Sequence, residues 1–144
     1  MHANRTVRKR LSKAEYESLA DFRYALRRFL KFSEDAAEAI GLTPRQHQAL
    51  LAIKGYPERD RVTNGELAAR LQIKHQSAVG LVNRLETQVL ICRSPGEHDG
   101  REVYLQLTRR GEELLEQLAA AHQEELRRVG PRLIKMLEKL AGAD

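Results

Sequence analysis

Cysteine is almost missing from this chain. Cys92 is the only one in 144 residues, so no intrachain disulfide and no cysteine-rich metal centre can form. Tryptophan is absent and aromatic residues make up 5%, while charged residues make up 31%. That balance favours helices with solvated faces over a β-sandwich. No apolar run approaches the roughly 20 residues of a membrane span. The start, MHANRTVRKRLSK, lacks the apolar core of a secretory signal. A cytoplasmic protein is expected. The five histidines (2, 47, 75, 98 and 122) show no metal-ligand spacing. His98 between Glu97 and Asp99 looks ligand-like, but one turn supplies no closed site. There is no nucleophile with a partnered base, no phosphate-cradling glycine loop and no zinc-protease helix. Neither an enzyme nor a cofactor or bound metal is expected.

What is present suffices for one domain over residues 1–144. Hydrophobic residues make up 42%, enough for a core and too many for disorder. The net charge of +5 suits a polyanionic partner without requiring one. Arg5, Arg8, Lys9 and Arg10 open the chain with no acidic partner. They form either an arm that tracks phosphates or a frayed, solvated terminus.

Helix signals follow in order. Ser12-Lys13-Ala14-Glu15 is a capping box. Leu19, Phe22, Leu26, Phe29, Leu30, Ala36, Ala37 and Ile40 then recur at spacings of three and four, and Gly41 ends the helix. A helix of that length has more apolar face than its own chain can cover, which points to a partner. Thr43 and Pro44 start a second helix, closed by Gly55-Tyr56-Pro57. Thr63-Asn64-Gly65-Glu66 is another capping box, with Leu67, Ala68 and Leu71 inward. After a turn at Gln72-Ile73-Lys74, a helix from about His75 to Gln88 turns Ala78, Val79, Leu81, Val82 and Leu85 inward. Ile91–Ser94 and Glu102–Leu107 read as two strands around a turn bracketed by Pro95-Gly96 and Gly100. Thr108 caps a long helix that Gly130-Pro131 is expected to break, leaving a sixth helix through Leu133, Ile134, Leu137 and Leu140.

Helix, turn, helix and hairpin in this order form a winged helix-turn-helix. Gln76, Ser77 and Gly80 lie on the outer face near the start of the second helix, where DNA base edges would be met. Amide and hydroxyl groups suit adenine or mixed readout. Lys74 and Arg84 suit phosphates. His75 either tunes phosphate affinity through its charge or is a plain surface residue. The bland alternative is two packed helices with a polar outer face.

The hairpin decides further. Asp99-Gly100-Arg101 is followed by Leu107-Thr108-Arg109-Arg110-Gly111, downstream of Glu66-Leu67-Ala68 and Leu81-Val82-Asn83-Arg84-Leu85-Glu86. This pattern resembles the multiple antibiotic resistance regulator (MarR) family, in motif over about residues 63 to 111 and in layout over about 12 to 140. The resemblance implies a mainly α fold with a small β-hairpin wing and six helices. Residues 43–107 would form the winged DNA-binding lobe, and 12–42 with 108–144 the dimerisation helices. It implies a homodimeric, ligand-responsive repressor on a near-palindromic double-stranded operator. Arg101 would enter the minor groove with Asp99 fixing its side chain; the alternative is an exposed surface pair. An effector pocket for aromatic acids or phenols would draw on Arg27, Phe29 and His47, although Phe29 also suits core packing and Arg27 solvent.

Three features depart from the family pattern. Gly80 stands where relatives carry longer side chains, Val89 where they often carry a helix-ending glycine, and Lys74-His75 is a poor N-cap. Cys92 lies away from the sensing position known in relatives. It is read as a small buried hydrophobe or, alternatively, a redox thiol. The remaining rival is a winged helix that binds protein instead of DNA.

Overall fold

The computed structural model describes residues 10–96 and 101–142. The basic segment before Arg10 and the hairpin tip with Asp99 lie outside them. The elements are α1 (Lys13–Ala39), α2 (Pro44–Lys54), β1 (Arg61–Val62), α3 (Asn64–Leu71), α4 (His75–Thr87), β2 (Ile91–Pro95), β3 (Val103–Leu107) and α5 (Arg109–Leu140). The described residues thus form five helices, not six. Gly130-Pro131 does not break the last one, and Pro131 sits inside α5. Pro131 and Arg127 are both exposed, so the carbonyl that loses its helical partner has water to turn to. The apolar spacing of Leu126, Val129, Leu133, Ile134 and Leu137 also runs through the break in one helical register.

The chain divides into two compact units, one of residues 32–124 and one of 10–31 with 125–142 among the described residues. The first holds every buried apolar side chain described, from Ala37 to Leu118. Its largest fully buried members are Leu50, Ile53, Leu67, Leu81, Leu85, Leu90, Ile91 and Leu105. The three strands are antiparallel in the order β1-β3-β2. Ile91 faces Leu107 and Pro95 faces Val103 along the hairpin, while Val62 faces Leu105 on the other edge.

Caps set most of the helix ends. Thr43 and Thr63 each accept the amide of the third helical residue, and Gln46 and Glu66 reach back to the cap amides. Each hydroxyl cap is worth about 1 kcal/mol. Both α1 and α4 end in the same double bond, in which the second amide past the cap reaches back over a left-handed residue. In α1 Leu42 N donates to Ala37 O (3.0 Å) and Gly41 carries the left-handed φ of 82°. In α4 Leu90 N donates to Leu85 O and Val89 N to Glu86 O, both at 2.9 Å, and Val89 has φ 58°. A β-branched residue is strained there.

Leu90 is then the meeting point of α4, the sheet and α5. Its carbonyl accepts Thr108 N at 3.0 Å. The Thr108 hydroxyl donates to Val89 O (2.6 Å) and accepts from Gly111 N (3.1 Å), so one side chain caps α5 and ties it to the exit of α4. A Cβ on Gly111 would lie 2.1 Å from the Leu90 oxygen. The first turn of α5 can therefore pack here only on glycine.

Two substitutions at this joint should act in opposite directions. Val89→Gly removes left-handed strain at an exposed site and should raise the melting temperature by about 2–5 °C, for a gain of ~1 kcal/mol. Gly111→Ala should cost about 2 kcal/mol or more, because backbone must move. Thermal unfolding followed by circular dichroism measures both. A lower melting point for Val89→Gly, or an unchanged one for Gly111→Ala, contradicts this account of the joint.

Candidate nucleic-acid interface

α3 and α4 meet through a tight turn. Gln72 caps α3 in the left-handed region (φ 54°), and Ile73 N returns to Ala68 O at 3.0 Å. Lys74 then serves as the N-cap of α4 without any side-chain hydrogen bond, which leaves the first amides of that helix open to an external acceptor. Ala78, Leu81, Val82 and Leu85 are buried beneath. That packing presents Lys74, His75, Gln76, Ser77 and Arg84 outward, all exposed, along one helix. Gly80 is half-buried in the same row. A Cβ there would lie 3.9 Å from the Arg84 guanidinium, so Arg84 folds back over the glycine.

The hairpin stands beside α4. Gly96 N donates to Glu102 O at 2.7 Å, closing the strands just before the tip. Arg101 is exposed where the chain returns toward β3, and Asp99, its expected partner, is outside the described residues. Cys92 is exposed on β2, which corrects the reading of it as a buried hydrophobe. Its side chain points away from the core because Ile91 takes the inward position of the alternating strand.

Arg93, one residue further, was not singled out by sequence. Its Nε donates to Glu86 Oε2 and its Nη2 to Asn83 Oδ1, each at 2.9 Å. This single guanidinium bolts β2 to the outer end of α4. On the other edge, Arg59 pairs with Glu66 of the α3 cap and lies 4.6 Å over the Tyr56 ring and 5.7 Å from that of Tyr104 on β3. Arg61 lies 4.9 Å over the Tyr104 ring. These stacked cations hold the sheet against the loop before it and against α3. Burial pushes the Glu66 carboxyl up, but amide and hydroxyl donors and Arg59 outweigh it and hold it below its ordinary range. Neither group of partners is adjacent in sequence, so no local pattern announces it.

Of the three residues assigned to an effector pocket, Arg27 is exposed and Phe29 half-buried on α1 in one unit, while His47 is buried on α2 in the other. His47 has company. Its ring centroid lies 4.9 Å from that of His122 on α5, which also meets the Phe32 ring edge-on at 5.5 Å. Nδ1 of His122 is 2.6 Å from the Leu118 carbonyl and donates to it, and Nε2 lies 2.8 Å from the Ser33 hydroxyl. Nδ1 of His47 is buried and has no hydrogen-bond partner. Burial, with the charge on His122 second, holds the His47 pKa below its ordinary 6.5. Among the described residues no three His, Cys, Asp or Glu side chains gather as metal ligands.

The fold is that of a winged helix-turn-helix protein. Residues 40–102 match the model of the MarR family. It is 32% identical over 84 residues to the transcriptional activatory protein BadR of Rhodopseudomonas palustris, covering 58% of this chain and 48% of BadR. The chain thus spans about half the length of that curated relative. Among solved structures, it resembles AbsC, a MarR family transcriptional regulator from Streptomyces coelicolor, at 23% identity and a TM-score of 0.72, covering 91% of each chain. A MepR variant from Staphylococcus aureus, bound to an oligodeoxyribonucleotide, is similar at 24% identity and a TM-score of 0.65, over 87% of this chain and 97% of that one. At these identities the likeness carries the fold.

The buried histidine makes stability depend on pH. A His pKa lowered by folding means that the unfolded chain takes up the proton first. The His47 contribution is complete above its ordinary 6.5, is lost as pH falls below it, and levels off below the lowered folded value. His47→Phe should flatten that step. Urea unfolding at about pH 7.5 and about pH 5.5 tests it, and an equal loss in both proteins would count against His47 as the source.

Proposed function

We propose that this protein is a homodimeric transcription regulator that binds double-stranded DNA. The observation that carries this reading is the outward row on α4, from Lys74 to Arg84, beside a wing that presents Arg101. α4 would lie in the major groove, with Gln76 and Ser77 at base edges and Lys74, His75 and Arg84 at phosphates. Gly80 would let the backbone come close. Arg101, held by Asp99, would enter the minor groove, where negative potential is concentrated. The oligodeoxyribonucleotide bound to the MepR variant supports this partner.

The second copy is inferred from surface that the chain does not cover. The unit of residues 10–31 and 125–142 contains no buried residue. Tyr16, Leu19, Tyr24, Leu26 and Leu30 on α1 stay exposed, as do Leu126, Ile134 and Leu137 on α5. So much apolar surface on helices without a core calls for burial against an equivalent surface. Two copies would place recognition helices in successive major grooves, about one turn or roughly 34–36 Å apart, on a near-palindromic operator. Among the described residues no helix is long and apolar enough to cross a membrane, and action in the cytoplasm is part of the proposal. So is repression by occlusion of a promoter, relieved by a small aromatic or phenolic ligand near His47. BadR is an activator by name; on the same lobe the sign of control follows from where the operator lies.

Arg101→Ala should weaken operator binding about ten- to a hundredfold, as removal of one good groove contact does, while the dimer stays intact. Fluorescence anisotropy with a selected duplex, alongside sedimentation, measures the two. Unchanged affinity removes the wing from the mechanism. Gln76→Ala should relax sequence preference about tenfold with little effect on random duplex. Equal losses on both duplexes would take Gln76 out of base readout.

A further inference from the structure

Charge is not spread evenly over this chain. Among the described residues, the winged unit of residues 32–124 holds eleven lysines and arginines against twelve aspartates and glutamates. The helical unit of residues 10–31 and 125–142 holds eleven against five. The excess of +5 on the whole chain is therefore carried by the helical unit, which contains neither α4 nor the wing. On α5 that excess is ordered. Arg128, Arg132, Lys135 and Lys139 follow at spacings of four, three and four, so they line one helix face over three turns, and all are exposed. Leu126, Val129, Leu133 and Leu137 line the opposite face of the same stretch. Burial of the leucine face against a second copy thus leaves the cationic stripe in water. Glu138 lies about a quarter turn to the side.

α1 adds to the stripe at its start. The hydrogen bond from Arg128, with the charges of Arg128 and of Arg28 on α1, holds the Glu125 carboxyl below its ordinary range against the effect of burial. Arg28 also lies 5.9 Å from the centre of the Tyr24 ring. One carboxylate between two guanidiniums leaves a positive balance there. What fits the stripe is decided by what it lacks. No leucine, isoleucine, valine or aromatic side chain lies on that face of α5. A protein partner calls for an apolar or aromatic centre, and a lipid surface for an apolar face to insert. A duplex backbone asks for charge alone. From Arg128 to Lys139 the stripe spans about 16 Å, over which one DNA strand presents about five phosphates. We infer that the helical unit carries a second DNA-binding surface, formed by Arg128, Arg132, Lys135 and Lys139 with Arg28, for a duplex segment other than the one held by α4 and the wing. It touches phosphates only and reads no sequence. One regulator would thereby tie two duplex segments together. This rests on the DNA-binding reading above and extends it to a second segment.

The test uses the full-length protein and a variant with three exposed changes, Arg132→Gln, Lys135→Gln and Lys139→Gln. Glutamine keeps the helix propensity, and Arg128 is retained because it satisfies Glu125. A selected duplex is immobilised and saturated with protein, and capture of a second, fluorescent random duplex is then measured. Wild-type protein should capture it, with an affinity that falls about a hundredfold between about 50 and 200 mM salt, as four neutralised phosphates require. The variant should hold the immobilised duplex within about twofold of wild type and capture the second at least about tenfold more weakly. Equal capture by both proteins overturns the site, because the winged units then do the bridging. Wild-type protein that holds the selected duplex and captures nothing also overturns it. Binding to phosphatidylserine vesicles that only the variant loses would in that case assign the stripe to a lipid surface. A variant that no longer holds the selected duplex would make the stripe the primary DNA site, and the reading of α4 would be what fails.

Discussion

The carbonyl of Leu90 is the point on which the winged unit turns. It accepts the Thr108 amide that starts α5 and sits where any side chain at residue 111 would have to be, while the amide of the same residue closes the exit of α4. Three elements are thereby fixed at one residue: α4, the first wing strand β2 and the start of α5. A hydrogen bond here is worth only ~1 kcal/mol. Its influence is geometric, since the left-handed turn at Val89 and the missing Cβ at Gly111 leave the backbone a single way through.

From that joint outward, the structure aligns polar groups by hydrogen bonds made behind the exposed surface. Arg93 holds Asn83 and Glu86 from the strand side. Gln46, itself committed to the cap of α2, holds Gln88 from the core side. Arg59 and Arg61 both lie over the ring of Tyr104 on the central strand. Arg93 has only donors, and the Gln46 amide is turned by the cap of α2, so these bonds are specified by valence as much as by packing. Asn83, Glu86 and Gln88 at the outer end of α4 are consequently pre-oriented.

Much of this was legible in the residues. Ser12, Thr43, Thr63 and Thr108 marked helix starts because a hydroxyl cap acts within three residues, and Gly41 marked a stop because its backbone alone adopts the left-handed turn without strain. The alternation through Val103, Leu105 and Leu107 placed the second wing strand to within a residue. What misled was also local. Pro131 read as a break because its missing amide is a cost to any helix, yet an exposed helix with a continuous apolar register carries that cost. Cys92 read as buried because its type usually is, while its strand phase put it outside. The contacts that align the α4 face, Gln46 with Gln88 and Arg93 with Asn83, join residues brought together by folding, and no spacing rule reaches them. Asp99 and Arg101 were named from a family motif, and the tip that contains Asp99 lies outside the described residues.

The central claim is that the α4 face and wing form a surface for the phosphates and grooves of duplex DNA. The most direct measurement is the affinity of the wild-type protein for random duplex across a range of salt. The account predicts binding that weakens linearly on a log–log plot, with a slope of several counterions released per dimer. Affinity independent of salt, or no affinity for duplex at low salt, would contradict it and leave the winged unit as a surface for protein.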